Sequence, residues 1–119
     1  MRLLFMAAVL AFVATHAASA QEVFRPGNGV TLPQVVTQTK AAYTQAAMEQ
    51  HIEGTVLLSA VVRDNGAVAD IAVEKSLDST HGLDQQAVDS LKLWTFKPGT
   101  KDGKPVAVRV SVEIRFTLK

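Results

Sequence analysis

The chain contains no cysteine. That absence removes disulfides, thiolate metal sites and a cysteine nucleophile together, so the fold must be stable from packing alone. It also lacks any excess of one charge: 12 Lys and Arg stand against 11 Asp and Glu. A balance this even argues against a nucleic-acid partner, which calls for a basic footprint, and against a purely electrostatic role at a membrane surface. No G-x-S-x-G nucleophile elbow and no phosphate-cradling glycine motif occurs. Beyond His16, the histidines are His51 and His81, thirty residues apart and without a second ligand at i+3 or i+4. A zinc site needs three or four converging ligands, so the pattern calls for no metal, and nothing in it calls for a cofactor.

What is present begins with an export signal. Arg2 supplies a short positive region, Leu3 to Val13 an almost unbroken apolar run, and Ala18-Ser19-Ala20 an A-x-A pattern that places cleavage before Gln21. A spanning helix needs roughly 20 apolar residues; here hydrophobicity falls away at Thr15 and His16 and no basic cluster follows. With no cysteine near the cut, lipid attachment is excluded. Cleavage removes Arg2, leaving eleven basic residues against eleven acidic ones. The expected organisation is a signal peptide at 1–20, an extended lead-in at 21–40 and one domain at 41–119, a length suited to a single core.

The lead-in holds Pro26, Gly27, Asn28, Gly29 and Pro33 without a sustained period, with a short edge strand near Val35-Val36. Ala41 to His51 reads as a short helix with Tyr43, Ala46, Ala47 and Gln50 on one side, stopped at Gly54. Thr55 to Arg63 is apolar on both faces, which marks a central strand. Asp64-Asn65-Gly66 predicts a hairpin in which Asn and Gly both take positive φ. The return strand, Ala67 to Ser76, sets Ala69, Ile71 and Val73 against Asp70, Ala72 and Glu74. After a polar turn, Leu83 to Leu93 reads as a second helix whose stripe is Leu83, Ala87, Val88, Leu91 and Trp94. Asp84 in its first turn and Lys92 in its last suit the helix dipole. Trp94-Thr95-Phe96 leaves this helix extended and closes one end of the core.

Val106 to Leu118 alternates strictly. Val106, Val108, Val110, Val112, Ile114 and Phe116 face one way, and Ala107, Arg109, Ser111, Glu113, Arg115 and Thr117 the other, as in a strand with one buried and one wet face. It is longer than either hairpin strand, so part of it lacks a partner within the domain. The order predicts an α+β fold: a three-stranded antiparallel sheet with two helices on one face.

Catalytic patterns are weak. Ser76, Ser79, His81 and Asp84 contain the types of a Ser–His–Asp device, but such devices are defined by geometry, and Ser79 and Thr80 are better read as capping residues of the second helix. Asp64, Asp70, Asp78 and Asp84 sit at turns, where Asp is favoured by its own hydrogen bonding. Lys97, Lys101 and Lys104 form a solvated basic loop. The chain reads as a binding protein and not an enzyme. An unpaired strand edge is either blunted by charge, here Arg109, Glu113 and Arg115, or used for strand addition by a partner peptide.

From about Val30 onward the residues resemble the C-terminal domain of TonB-family energy transducers. The ordered set comprises Tyr43 with Ala46; Glu53-Gly54-Thr55-Val56; Asp64-Asn65-Gly66 with Val68; Ser76; Gly82-Leu83-Asp84 with Ala87; Leu91 followed by Trp94-Thr95-Phe96-Lys97-Pro98; and Asp102-Gly103-Lys104-Pro105-Val106, then a final alternating strand ending in Phe116. The family often has Tyr-Pro at the first helix, where this chain has Tyr43-Thr44. The resemblance implies the TonB/TolA-like α+β fold and recognition of a peptide of an outer-membrane transporter, or of another envelope protein, by strand addition along Val108, Arg109, Val110, Ser111, Val112, Glu113 and Ile114. It implies a role in transmembrane transport and, with the signal peptide, a periplasmic location. Family transducers carry a retained anchor and a long proline-rich spacer. Here about twenty residues separate the cut from the domain, a reach of at most roughly 70 Å, so an adaptor that binds without transmitting work is expected. The alternatives are a minimal transducer anchored in the inner membrane by Leu3 to Val13, and a structural domain that pairs its long strand with a second copy as a homodimer.

Overall fold

The computed structural model describes residues 22–118, and the expected signal peptide lies outside them. The elements run β1 (Val23–Phe24), β2 (Gln34–Thr37), α1 (Gln45–Glu49), β3 (Gly54–Val62), β4 (Val68–Lys75), α2 (Leu83–Lys92), β5 (Thr95–Lys97), β6 (Gly99–Lys101) and β7 (Lys104–Phe116). The main sheet has the order β1-β7-β3-β4, with β6 also paired to β7, and β2 and β5 form a separate two-stranded sheet. The predicted antiparallel β4-β3-β7 unit is its centre. β3, apolar on both faces, is paired on both sides, from Gly54↔Phe116 to Val62↔Val108 along β7 and from Leu57 to Val62 along β4.

Both helices lie on the same face. Val56, Leu58, Ala60 and Val62 of β3 and Ile114 and Phe116 of β7 meet Ala47 of α1 and Leu83, Ala87 and Leu91 of α2, with Trp94 and Phe96 in the same cluster. Leu58, Leu83 and Leu91 are wholly buried, and each such side chain contributes about 2 kcal/mol relative to exposure. The Tyr43 ring meets Phe116 edge-on at 5.4 Å, and its hydroxyl donates to the Ile52 carbonyl. Burial, and then the nearby charge of Glu53, push the Tyr43 hydroxyl above its ordinary pKa.

Four local expectations are corrected. The first helix is shorter than 41–51: Thr44 is its N-cap, accepting from the Ala47 N–H at 3.1 Å, and Tyr43 lies outside it. Its stop is His51, not Gly54. His51 takes φ 55, its N–H donates to Met48 at 3.0 Å and the Ile52 N–H to Ala47 at 3.0 Å, the paired bonds of a Schellman ending. At the hairpin only Gly66 is left-handed (φ 87). Gly66 N–H donates to the Arg63 carbonyl and the Arg63 N–H to Ala67, which makes a three-residue loop closed by glycine instead of a two-residue Asn-Gly turn. In β4 the alternation breaks at two bulges. Asp70 is left-handed at φ 52, and β4 uses three steps, Ala69 to Ala72, where β3 uses two, Val61 to Ser59. Val68 therefore shares the core face with Ile71, and Ala69 turns to the opposite face with Val61, which is itself buried. Glu74 is the second extra residue, between Val73 and Lys75.

The lead-in is built into the fold. β1 runs parallel to β7 at Ala107 and Val108, and Lys101 of the predicted solvated loop stacks its ammonium over the Phe24 ring at 4.7 Å. β2 contains Val35-Val36 and pairs antiparallel with β5, Val35 opposite Phe96. The Thr31 N–H donates to the Thr100 carbonyl at 2.8 Å, and the Thr31 hydroxyl accepts from the Thr100 N–H at 2.9 Å.

Candidate functional site

β7 is the longest strand, and its two edges are treated differently. One is covered by β3 from Val108 to Phe116. On the other, pairing with β1 ends at Val108, and β6 pairs only with Lys104 to Val106. From Arg109 to Phe116 the outer edge carries no strand among the described residues. In an antiparallel pair alternate residues turn both N–H and C=O away from the partner, so every second residue here presents an unpaired donor and acceptor. Of the seven predicted peptide-binding residues, Arg109, Val110, Ser111, Val112, Glu113 and Ile114 lie on this edge. Val108 does not: it is paired to Val62 on one side and Phe24 on the other and is fully buried.

Three clefts are lined by successive parts of β7, the first of them reaching across the non-core face to β3 and β4. Arg109, Val110 and Ser111 line a cleft of about 260 Å³ with Arg25, Pro26, Leu32, Ser59 and Glu74. Val110 to Glu113 line one of about 330 Å³ with Leu32, Pro33, Val35, Trp94 and Phe96. Arg115, Phe116 and Thr117 line one of about 300 Å³ with Lys40, Ala41 and Tyr43. Consecutive residues of a strand point to opposite faces. A cleft that touches Val110, Ser111, Val112 and Glu113 in succession therefore straddles the edge itself.

The central cleft is apolar, and its far wall is the lead-in. Leu32 and Val35 are 60% and 46% exposed there. Trp94 and Phe96 form the floor, their ring centroids 6.1 Å apart. Thr39 fixes this wall against α2, because its carbonyl accepts from Trp94 Nε1 at 3.0 Å and from the Ser90 hydroxyl at 2.8 Å. Gly66 fixes the floor from below. Its carbonyl accepts from the Phe96 N–H at 3.1 Å, and a side chain at Gly66 would meet the Phe96 carbonyl oxygen at 2.1 Å.

The residues with catalytic chemistry lie elsewhere and are used for structure. Gly82, left-handed at φ 91, precedes α2 without a side-chain cap, and neither Ser79 nor Thr80 takes the capping role expected of them. Asp78 is the carboxylate that reaches a helix N–H, that of Leu83, and Asp84 instead ties the preceding turn to the helix. Asp78 accepts from the N–H groups of His81 at 3.0 Å and Leu83 at 3.3 Å and bonds His81 Nδ1 at 2.9 Å. Asp84 accepts from the N–H groups of Leu77 and Asp78, both at 3.0 Å, and from the Ser76 hydroxyl. Ser76 and His81 thus have different carboxylate partners, and no Ser–His–Asp relay forms. Burial pushes the Asp78 carboxyl up, but the His81 ring and the His81 and Leu83 N–H groups together hold it below its ordinary value. Burial likewise raises Asp84, and the bonds from Ser76, Asp78 and Leu77 outweigh both that and repulsion from Asp78. Among the described residues no three His, Cys, Asp or Glu side chains converge, and no helix is long and apolar enough to cross a membrane.

The outer edge of β7 could be anticipated from its length and the short strand at Val35-Val36 from its residues, but not that this strand and Leu32 would stand as a wall beside β7. The apolar residues Leu32, Val35 and Val36 were its only signal. Nothing local tells such residues apart from scattered surface apolar side chains, which are common.

Comparison with known proteins agrees with this architecture. The chain is 35% identical over 85 residues to Protein TonB of Vibrio cholerae serotype O1, covering 71% of this chain and 34% of that protein. It is 37% identical over 76 residues to Protein TonB of Xanthomonas campestris pv. campestris, covering 64% and 34%, and 41% identical over 76 residues to Protein tonB2 of Pseudomonas aeruginosa, covering 64% and 28%. The chain thus spans about a third of the length of these relatives. The solution NMR structure of the Pseudomonas aeruginosa TonB CTD shares the fold, with a TM-score of 0.60 at 22% identity over 85% of this chain and 97% of that one. The family model of the Gram-negative bacterial TonB protein C-terminal matches residues 39–118, and the chain belongs to that family.

Proposed function

We propose that this protein is a binding module of the bacterial cell envelope, acting in TonB-dependent transport, that takes up an extended segment of an outer-membrane transporter or another envelope protein as an added strand on β7. The observation that carries this reading is the outer edge from Arg109 to Phe116, which is unpaired among the described residues and bordered by the apolar cleft between β7 and the lead-in. Main-chain hydrogen bonds along such an edge supply affinity, and pockets for alternate side chains supply selectivity. The cleft residues Val110 and Val112 are on the core face of β7, so alternate residues of an added strand extend the hydrophobic layer over Trp94 and Phe96.

Within this proposal Met1 to Ala20 is a cleaved signal peptide and the mature protein is periplasmic. Binding, and not catalysis, is its activity.

The test is Ser111→Pro. Arg63 is bonded to Ala67 across the hairpin, so Val62 and Ala60 turn their main-chain groups to β7, and Val108 and Val110 turn theirs to β3; the N–H of Ser111 therefore faces the open edge. Proline there deletes that donor, so affinity for a peptide copying the extended periplasmic segment of an outer-membrane transporter is expected to fall at least tenfold. Circular dichroism and an unfolding curve are recorded alongside. A folded Ser111→Pro variant with unchanged affinity contradicts strand addition on this edge.

A further inference from the structure

The charged residues of β7 have no partners on the side already paired. Arg109, Ser111, Glu113 and Arg115 share the face opposite the core, and their neighbours on β3 are Val61, Ser59, Leu57 and Thr55, none of them charged. Among the described residues no ion pair within 4.0 Å involves Arg109, Glu113 or Arg115. The lead-in strengthens both ends of the pattern. Arg25 joins Arg109 in the first cleft, and Lys40 joins Arg115 in the last. Among the described residues each end also has one carboxylate nearby. Glu74 lines the Arg109 cleft and accepts weakly from the Ser111 hydroxyl at 3.4 Å. Glu53, close enough to Tyr43 to raise its pKa, accepts from the Leu118 N–H at 3.0 Å. Two cations against one anion leave each end positive, and Glu113 is the acidic residue of β7 between them, with Lys75 one strand further away across Leu57.

On the assumption that strand addition on β7 is the binding mode, we infer that the partner is a short strand carrying a complementary charge pattern: acidic at both ends and basic between them, with apolar residues at the intervening positions. Residues directly opposite in an antiparallel pair share a face and interact in pairs. Read from the residue facing Arg115 to the residue facing Arg109, the added strand is therefore acidic, apolar, basic, apolar, polar, apolar, acidic. Its three apolar positions face Ile114, Val112 and Val110. The last two of these line the apolar cleft, so core-face side chains of the partner are held by Leu32, Val35, Trp94 and Phe96 while its outer-face side chains answer the charges of β7. An antiparallel arrangement is taken because its ladder is the more stable per residue.

The experiment compares two capped seven-residue peptides by fluorescence anisotropy. One has the sequence pattern above, and the other has the same apolar residues with every charge inverted. The matched peptide is expected to bind about tenfold more tightly, from three opposite-charge pairs that become three like-charge pairs, and the difference is expected to shrink as salt is raised. The triple variant Arg109→Glu, Glu113→Lys, Arg115→Glu, which changes only side chains on the non-core face, is expected to reverse the ranking. Equal binding of both peptides, with the amides of residues 109–116 protected by each, overturns the charge pattern and leaves strand addition standing. Binding of neither overturns both.

Discussion

Gly66→Ala and Gly27→Ala place the same methyl group on two left-handed residues with different surroundings. Gly27 has φ 104 and Gly66 has φ 87, and an L side chain in that region costs about 1–2 kcal/mol. At Gly27 nothing lies within 4 Å of the new Cβ, so the backbone term is the whole effect and a loss of about 1 kcal/mol is expected. At Gly66 the Cβ would stand 2.1 Å from the Phe96 carbonyl oxygen, and main chain cannot move aside as a flexible side chain does. Relief requires β5 to back away from the hairpin. That breaks the 3.1 Å bond from the Phe96 N–H to the Gly66 carbonyl, worth about 1 kcal/mol, and loosens Phe96, only 8% exposed, by roughly another 1 kcal/mol. The expected loss at Gly66 is about 3–4 kcal/mol, within the margin of an ordinary small domain. Urea unfolding measures both, with an unchanged m-value as the sign that the two-state comparison holds. Equal losses at the two glycines would refute the claim that the hairpin tip is pinned against β5.

Three further outcomes follow from the same structure. His51→Gly removes the left-handed strain at the end of α1 while keeping the Met48 and Ala47 bonds, and is expected to stabilise by about 0.5–1 kcal/mol, read as a rise in the thermal midpoint. Asp78 and Asp84 sit below their ordinary pKa when folded; the unfolded chain then binds more protons in acid, so their stabilisation is present above about pH 4 and is lost as pH falls through the lower folded values. Asp84→Asn is expected to flatten that acid limb of the stability profile, and an unchanged slope would contradict the assignment. Trp94→Phe removes the donor to the Thr39 carbonyl at 3.0 Å and is expected to cost about 1–3 kcal/mol and to lower peptide affinity by releasing the lead-in wall; an intact affinity would show that the wall is held by other contacts.

How much of this was legible in sequence depends on the range of the interactions involved. The alternation of Val106 to Phe116 and the double-sided apolar character of Thr55 to Val62 report burial directly, so the central strand and the long terminal strand were readable, as was the stripe from Leu83 to Trp94. Features that depend on one residue's backbone angle were not. Asp70 reads as the polar half of an alternating strand, and its left-handed conformation, which shifts Ala69 off the core face, leaves no mark in the pattern. His51 hid in the same way, because Gly54 three residues later is the more familiar helix terminator. Ser79 and Thr80 look like caps, but Asp78 supplies the acceptor to the Leu83 N–H, and Asp84 bonds the Leu77 and Asp78 N–H groups of the turn, a choice made by how the turn folds back on itself. The edge strand expected near Val35-Val36 is β2, but its pairing with β5, more than fifty residues away, could not be read; β1 was hardest, because Val23-Phe24 is too short to show a period and only its pairing with β7, more than eighty residues away, defines it. The open edge was therefore foreseen from strand length, while its apolar wall came from contacts distant in sequence.

Amide hydrogen exchange along β7 tests the central claim most directly. Alternate amides between Arg109 and Phe116 are expected to exchange rapidly in the free protein, while their neighbours, bonded to β3, are protected. Saturation with the extended segment of an outer-membrane transporter is expected to slow the rapid set and leave the other unchanged. Rapid exchange that persists in the saturated complex would contradict strand addition at this edge.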